Sequence, residues 1–79
     1  MYHVYIIQSQ NFPDRFYTGY TENIKKRLKA HNHGQDSYTK KYKPWEIKTT
    51  ITFNNRQRAL DLERYLKSPS GRAFAKKRL

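Results

Sequence analysis

Tyr2-His3-Val4-Tyr5-Ile6-Ile7-Gln8, followed after a turn by Phe16-Tyr17-Thr18-Gly19-Tyr20, decides how this chain folds. The first segment alternates with a period of two, and both sets are apolar or aromatic. Tyr2, Val4 and Ile6 take one face, and His3, Tyr5 and Ile7 take the other. Between the segments, Asn11, Pro13 and Asp14 mark Ser9 to Arg15 as a turn, so the two strands are expected to form an antiparallel hairpin.

Outward from the hairpin, Thr21 or Asn23 can cap a helix running to about Asn32, with Gly34 as its stop. Gln35 to Lys43 is polar and basic, read as irregular or as a single helical turn, and Pro44 closes it. Ile47, Thr49, Ile51 and Phe53 alternate with Lys48, Thr50 and Thr52 as a third strand. Asn54 or Asn55 caps a second long helix, Arg56 to Lys67. Ser68-Pro69-Ser70-Gly71 then breaks the chain before a short last helix carrying Ala73, Phe74 and Ala75. The order is ββαβαα: a three-stranded sheet with helices packed against it, in one domain spanning residues 1–79.

Composition narrows the function. The 79 residues include no cysteine, which excludes disulfide staples and thiolate metal sites. No apolar run is long enough for a membrane span or a signal-peptide core, so a soluble cytoplasmic protein is expected. Seventeen Lys and Arg face six Asp and Glu, a net charge of +11, and the isoelectric point is near 10.1. Such self-repulsion in a small protein points to a polyanionic partner. Nucleic acid is favoured over an acidic membrane surface, because no segment combines strong basicity with a wide apolar face.

Several polar residues stand where apolar ones are expected. At about 100° per residue, Ile24 and Leu28 define the buried stripe of the first helix. Lys25, Lys26 and Lys29 point away from it, but Arg27 and His31 lie within roughly 60° of it. In the second helix Ala59, Leu60, Leu62 and Leu66 form the apolar arc, Asp61 and Arg64 lie outside it, and Glu63 falls inside. A carboxylate on a core-facing side needs a partner. It is either salt-bridged to Arg27 or another base, or it is a metal-binding or catalytic group. Arg27 is either a helix charge reaching for solvent or part of the same site. Tyr5 and Tyr17 are either ordinary strand packing or chemistry. His31 and His33, with a single further histidine and no cysteine, do not make up the usual ligand set of a zinc site.

These residues together resemble the GIY-YIG endonuclease superfamily, in particular small stand-alone bacterial members related to the N-terminal nuclease domain of the excision-repair nuclease. The first motif stands as His3-Val4-Tyr5, with His3 in place of the glycine of the family name, and the second as Tyr17-Thr18-Gly19. Arg27-Leu28-Lys29-Ala30-His31 matches the helix motif. Ser37-Tyr38-Thr39, Ala59 to Lys67 and Gly71-Arg72-Ala73-Phe74-Ala75 complete the likeness over essentially the whole chain.

The resemblance implies an α+β fold with a three-stranded antiparallel sheet flanked by helices. It implies metal-dependent hydrolysis of nucleic-acid phosphodiesters, DNA rather than RNA, with low sequence specificity and a setting in repair or recombination. Glu63 would hold one Mg²⁺ or Mn²⁺, and Arg27 would stabilise charge on the phosphate. Tyr5 would be the general base, Tyr17 would support it or bind the phosphate, and His31 would assist. An ordinary tyrosine is a poor base at neutral pH. Nearby positive charge from Arg27, the metal and the protein as a whole is expected to favour the phenolate of Tyr5.

Lys25, Lys26, Lys29, Lys40, Lys41, Lys43, Arg56 and the terminal Lys76, Lys77 and Arg78 are expected to contact phosphates. Tyr38 and Tyr42 either stack on bases or border the core, and Trp45 is read as core. The competing readings are a catalytically weak or inactive nucleic-acid-binding module of the same fold, and a basic ribosome-associated protein. The latter fits the charge but not the position of Glu63.

Overall fold

A computed structural model describes all residues, Met1–Leu79. The elements are β1 (Tyr2–Ser9), β2 (Phe16–Thr21), α1 (Ile24–Asn32), α2 (Ser37–Lys41), β3 (Trp45–Phe53), α3 (Arg56–Lys67) and α4 (Pro69–Arg78). The sheet is antiparallel with order β2-β1-β3, so β1 is central, as its two apolar faces require. The observed architecture is the expected α+β sheet with helices. Gln35–Lys43 contains the short helix α2, capped by Asp36, whose carboxylate accepts from Tyr38 N.

Each face of β1 has its own core. Val4 and Ile6 pack with Ala59 and Leu66 under α3, joined by Tyr2, Tyr20, Phe53, Leu62 and Ala75. Tyr5 and Ile7 pack with Trp45 under α1, joined by Tyr17, Ile24, Leu28 and Tyr42. The caps follow short-range chemistry. Asn23 Oδ1 accepts from Lys26 N at 3.0 Å, and Asn55 Oδ1 accepts from Arg58 N at 3.0 Å. Gly34, at φ +77°, ends the α1 region in a left-handed conformation that favours glycine.

The third strand departs from the sequence pattern in one respect. Ile6 pairs with Thr49 while Ile7 pairs with Ile47, which leaves Lys48 as the extra residue of a bulge. Ile51 and Phe53 therefore share the face of Val4 and Tyr2, whereas Ile47 turns to the face of Tyr5 and Ile7. The expectation of one continuous face through Ile47, Thr49, Ile51 and Phe53 is corrected by that inserted residue. The strand also begins earlier, at Trp45, whose buried indole donates to Thr39 O at 2.7 Å. Asn32, at the end of α1, clamps the Trp45 backbone: Oδ1 accepts from its N at 2.6 Å and Nδ2 donates to its O at 3.2 Å. That clamp fixes α1 against β3, and so fixes the residues that α1 carries.

Candidate active site

Tyr5 stands in the middle of the central strand, directly opposite Gly19 of β2. A Cβ at Gly19 would overlap the Tyr5 hydroxyl and ring, so the missing side chain is what lets the phenol lie across β2. The hydroxyl is then 2.8 Å from His31 Nε2 and accepts from Arg27 Nε at 3.4 Å. Both partners come from α1, one turn apart, as their spacing dictates. Tyr17 closes the group from the next strand, its ring centroid 4.9 Å from that of His31 and 6.5 Å from that of Tyr5.

His31 is 1% exposed, the one fully buried side chain of α1 and deeper than the apolar Ile24 and Leu28. Its Nδ1 has no hydrogen-bond partner. Burial pushes its pKa below the ordinary imidazole value, and the Arg27 charge acts in the same direction, so the ring is neutral near pH 7. Arg27 can only donate to Tyr5 Oη. In one tautomer of His31, Nε2 accepts the phenol hydrogen; in the other it donates to the same oxygen.

The acidity of Tyr5 differs from the expectation. Burial raises its pKa above the ordinary phenol value and outweighs the opposing hydrogen bond and charge of Arg27. The Arg27 charge alone does not make a phenolate of Tyr5, because desolvation of a side chain only 2% exposed is the larger effect. Tyr5 is a neutral phenol at neutral pH, and Arg27 is held charged, first by its hydrogen bond to Tyr5.

Glu63 lies on α3, whose apolar residues pack on the other face of the sheet, but its charge reaches Tyr5 and adds to the upward push on the phenol. Its carboxylate is paired not with Arg27 but with Lys67 of the next turn, Oε2 to Nζ 2.8 Å, with side-chain exposures of 21% and 45%. Lys67 Nζ also lies 5.4 Å from the centre of the Tyr17 ring, so one ammonium joins Glu63 to the tyrosine cluster. Lys67 was not singled out from the sequence. The signal available was its place four residues after Glu63.

No three His, Cys, Asp or Glu side chains converge anywhere in the protein. A closed zinc-type cage is therefore not built, and His33 is exposed beyond the end of α1. A single half-exposed carboxylate suits Mg²⁺ or Mn²⁺, hard cations of which Mg²⁺ keeps several waters and takes one or two protein carboxylates. His3, at the position of the absent motif glycine, is half-buried and shares a hydrogen bond with Thr52 Oγ1 at 2.8 Å.

The basic residues surround this group unevenly. Lys25, Lys26 and Lys29 are exposed on α1, and Lys26 lines a small cavity together with Arg27. Lys40 and Lys41 are exposed on α2, Lys43 is exposed just beyond it, and Arg56 lies 5.9 Å over the Tyr20 ring at the start of α3. Tyr38 is 37% exposed, with its ring 6.2 Å from Tyr17, and Tyr42 packs edge-on against Phe12 at 5.3 Å.

A family model described as the GIY-YIG catalytic domain matches residues 1–78. Among similar proteins, UPF0213 protein CPE1444 of Clostridium perfringens is 37% identical over 85% of this chain and 71% of its own length. UPF0213 protein VNG_2274C of Halobacterium salinarum is 32% identical over 89% of this chain and 90% of its own. UPF0213 protein YazA of Bacillus subtilis is 33% identical over 80% and 63%. No helix is long and apolar enough to cross a membrane. With Tyr5 facing Gly19, Arg27 and His31 on the following helix, and a family match along almost the entire chain, this protein belongs to the GIY-YIG nuclease family.

Proposed function

We propose that this protein is a metal-dependent endonuclease that hydrolyses phosphodiester bonds, with DNA as substrate and little sequence choice. The observation that carries the reading is the Tyr5 hydroxyl held between Arg27 and His31 within the field of Glu63. In hydrolysis, water adds its oxygen to phosphorus, the scissile P–O bond breaks, and one water proton ends on the leaving oxygen. Arg27, charged and half-buried, offers its remaining N–H groups to the phosphate oxygens on which charge develops. Tyr5 takes the proton of the attacking water as its own hydrogen passes to His31 Nε2, 2.8 Å away. Tyr17 fixes one side of the group. Glu63 would hold Mg²⁺ or Mn²⁺ once Lys67 swings away. Such an ion, when bound, neutralises phosphate charge and acidifies its bound water.

The ordinary phenol and imidazole pKa values are about 3.5 pH units apart, and burial widens the gap between Tyr5 and His31. The resting proton therefore sits on Tyr5, and the transfer to His31 runs uphill from that state. The same reading sets the protein in the cytoplasm, in repair or recombination. The second reading, a binding module with little turnover, is favoured by one feature: Lys67 already neutralises Glu63 at 2.8 Å.

The test compares wild type with Glu63→Gln on supercoiled plasmid with Mg²⁺ or Mn²⁺, both proteins shown folded by circular dichroism and equal in DNA binding. Metal-dependent nicking that vanishes in the variant is expected. Equal nicking by both would sink the role of Glu63. Tight binding without nicking by wild type would establish the module instead.

A further inference from the structure

Where β2, the hairpin turn, α2 and α4 meet, a groove of about 830 Å³ opens. Its floor is Ile6, Thr18 and Leu66, and Phe16 and Tyr38 stand in its wall. Phe16 is 40% exposed, an aromatic ring on an edge strand left uncovered by the protein's own helices. Five bases line the same space, among them Lys48, Lys67, Arg72 and Lys76, against one acid, Asp14. Lys48 reaches it because of the β3 bulge, with Nζ 5.0 Å from the Phe16 ring centre. The groove adjoins the candidate active site: Lys67 and Tyr38 belong to its wall, and both lie against the Tyr17 ring.

We infer that this groove holds an unpaired stretch of a nucleic-acid strand, its bases stacked on Phe16 and Tyr38 and its phosphates met by Lys48, Arg72 and Lys76. Aromatic rings flanked by bases are the elements of sequence-tolerant single-strand binding. A ring on the groove wall can stack only on a base whose face is free, and inside a duplex both faces are covered by neighbouring pairs. The volume falls in the small-ligand range of roughly 300–1,000 Å³, enough for a few nucleotides and not for a double helix. An acidic peptide would satisfy the charges but leave the rings without a stacking partner. The inference rests on the nuclease reading for its place in the reaction, since the strand in the groove would continue past Lys67 toward Tyr17.

The test is fluorescence anisotropy in EDTA with a labelled dT12 oligonucleotide, a U12 oligonucleotide and a 12-base-pair duplex. Phe16→Ala is expected to weaken dT12 or U12 binding about tenfold, the loss of one stacked base, with duplex binding changed less than twofold. A loss confined to one oligonucleotide names the nucleic acid; a loss for both assigns the groove to either. Arg72→Gln with Lys76→Gln, both exposed, provides a second variant should Phe16→Ala misfold, and is expected to lower single-strand affinity and its salt dependence. Unchanged oligonucleotide binding by the folded variants, equal losses on duplex, or displacement of dT12 by polyglutamate at equal charge would overturn the inference. Because EDTA removes cleavage from the measurement, a wild type that never nicks would sink the nuclease reading and leave this result readable.

Discussion

The Tyr5 hydroxyl lies 2.8 Å from His31 Nε2, and both side chains are almost fully buried. Burial moves their acidities in opposite directions, up for the phenol and down for the imidazole, so the proton between them rests on Tyr5. The proposed relay starts from neutral Tyr5 and neutral His31, the state that burial favours near neutrality. The nicking rate is therefore expected to be flat between pH 7 and 9 and to fall below pH 6.5 as His31 takes up a proton. Tyr5→Phe is expected to lower the rate by about 10²–10⁴-fold, the range for a positioned general base. Initial rates on plasmid between pH 5 and 9 check it, and a rate that climbs steadily from pH 7 to 9 would replace the relay with a Tyr5 phenolate.

The same burial makes stability depend on pH. The pKa of His31 is lowered in the fold, so the unfolded chain binds its proton first as the solution is acidified. The stabilisation from keeping His31 neutral is full above the unfolded value of about 6.5 and is lost as pH falls from there toward the folded value. Wild type should thus have a lower urea midpoint at pH 5 than at pH 7.5. His31→Gln, which cannot take up a proton, should show a smaller difference between the two conditions. An equal difference in both proteins would show that His31 does not carry this dependence.

Gly19 supports Tyr5 by what it lacks. A methyl group there would collide with the phenol of a side chain that has no free space around it. Gly19→Ala should cost about 1–3 kcal/mol, as other overpacked sites do, and should displace the Tyr5 hydroxyl from Arg27 and His31. Urea unfolding measures the first effect. The plasmid assay measures the second, where a loss approaching that of Tyr5→Phe is expected. A variant with wild-type stability and nicking would show that the close approach does not matter.

What could be read without the structure follows the range of the forces involved. Asn23 and Asn55 act on backbone three residues away, so both helix starts were legible, whereas the central place of β1 emerges only once β3 pairs with it. Glu63 stood out because a carboxylate inside an apolar arc is anomalous on any helix. Its partner did not, because Lys67, Arg27 and many other bases were equally available until α3 was placed along β2. The bulge at Lys48 was hidden because the inserted residue sits inside an unbroken alternation, and only pairing with β1 reveals the shift. The burial that opposes Arg27 at Tyr5 is not legible for a related reason. Net charge is visible in composition, whereas desolvation depends on the burial supplied by α1 and the opposing strands.

Lys67 occupies the Glu63 carboxylate in the way a bound cation would. An ion pair this exposed contributes little to stability, about 0–1 kcal/mol, so Lys67→Met should leave the urea midpoint nearly unchanged. Its effect should appear in metal affinity. With the competing ammonium gone, Mn²⁺ measured by electron paramagnetic resonance without nucleic acid should bind several-fold tighter than in wild type. Glu63→Gln should abolish that gain. If Lys67→Met binds Mn²⁺ no better than wild type, the ammonium is not a competitor for the carboxylate.

The exposed lysines of α1 and the groove residues near α4 make separable claims on nucleic acid. Lys25 and Lys29 flank Arg27 on the α1 face of the sheet, whereas Arg72 and Lys76 belong to the groove by α4. Each lysine that neutralises a duplex phosphate adds roughly 0.9 to the slope of log affinity against log salt. Lys25→Ala with Lys29→Ala should therefore reduce the duplex slope by up to about 1.8 and lower duplex affinity most at low salt. The same double variant should bind dT12 in EDTA nearly as wild type does, because neither lysine lines the groove. Salt titrations of both probes against both variant pairs check this. An unchanged duplex slope would remove α1 from the binding face, and parallel losses on both probes would mean that duplex and single strand share one surface.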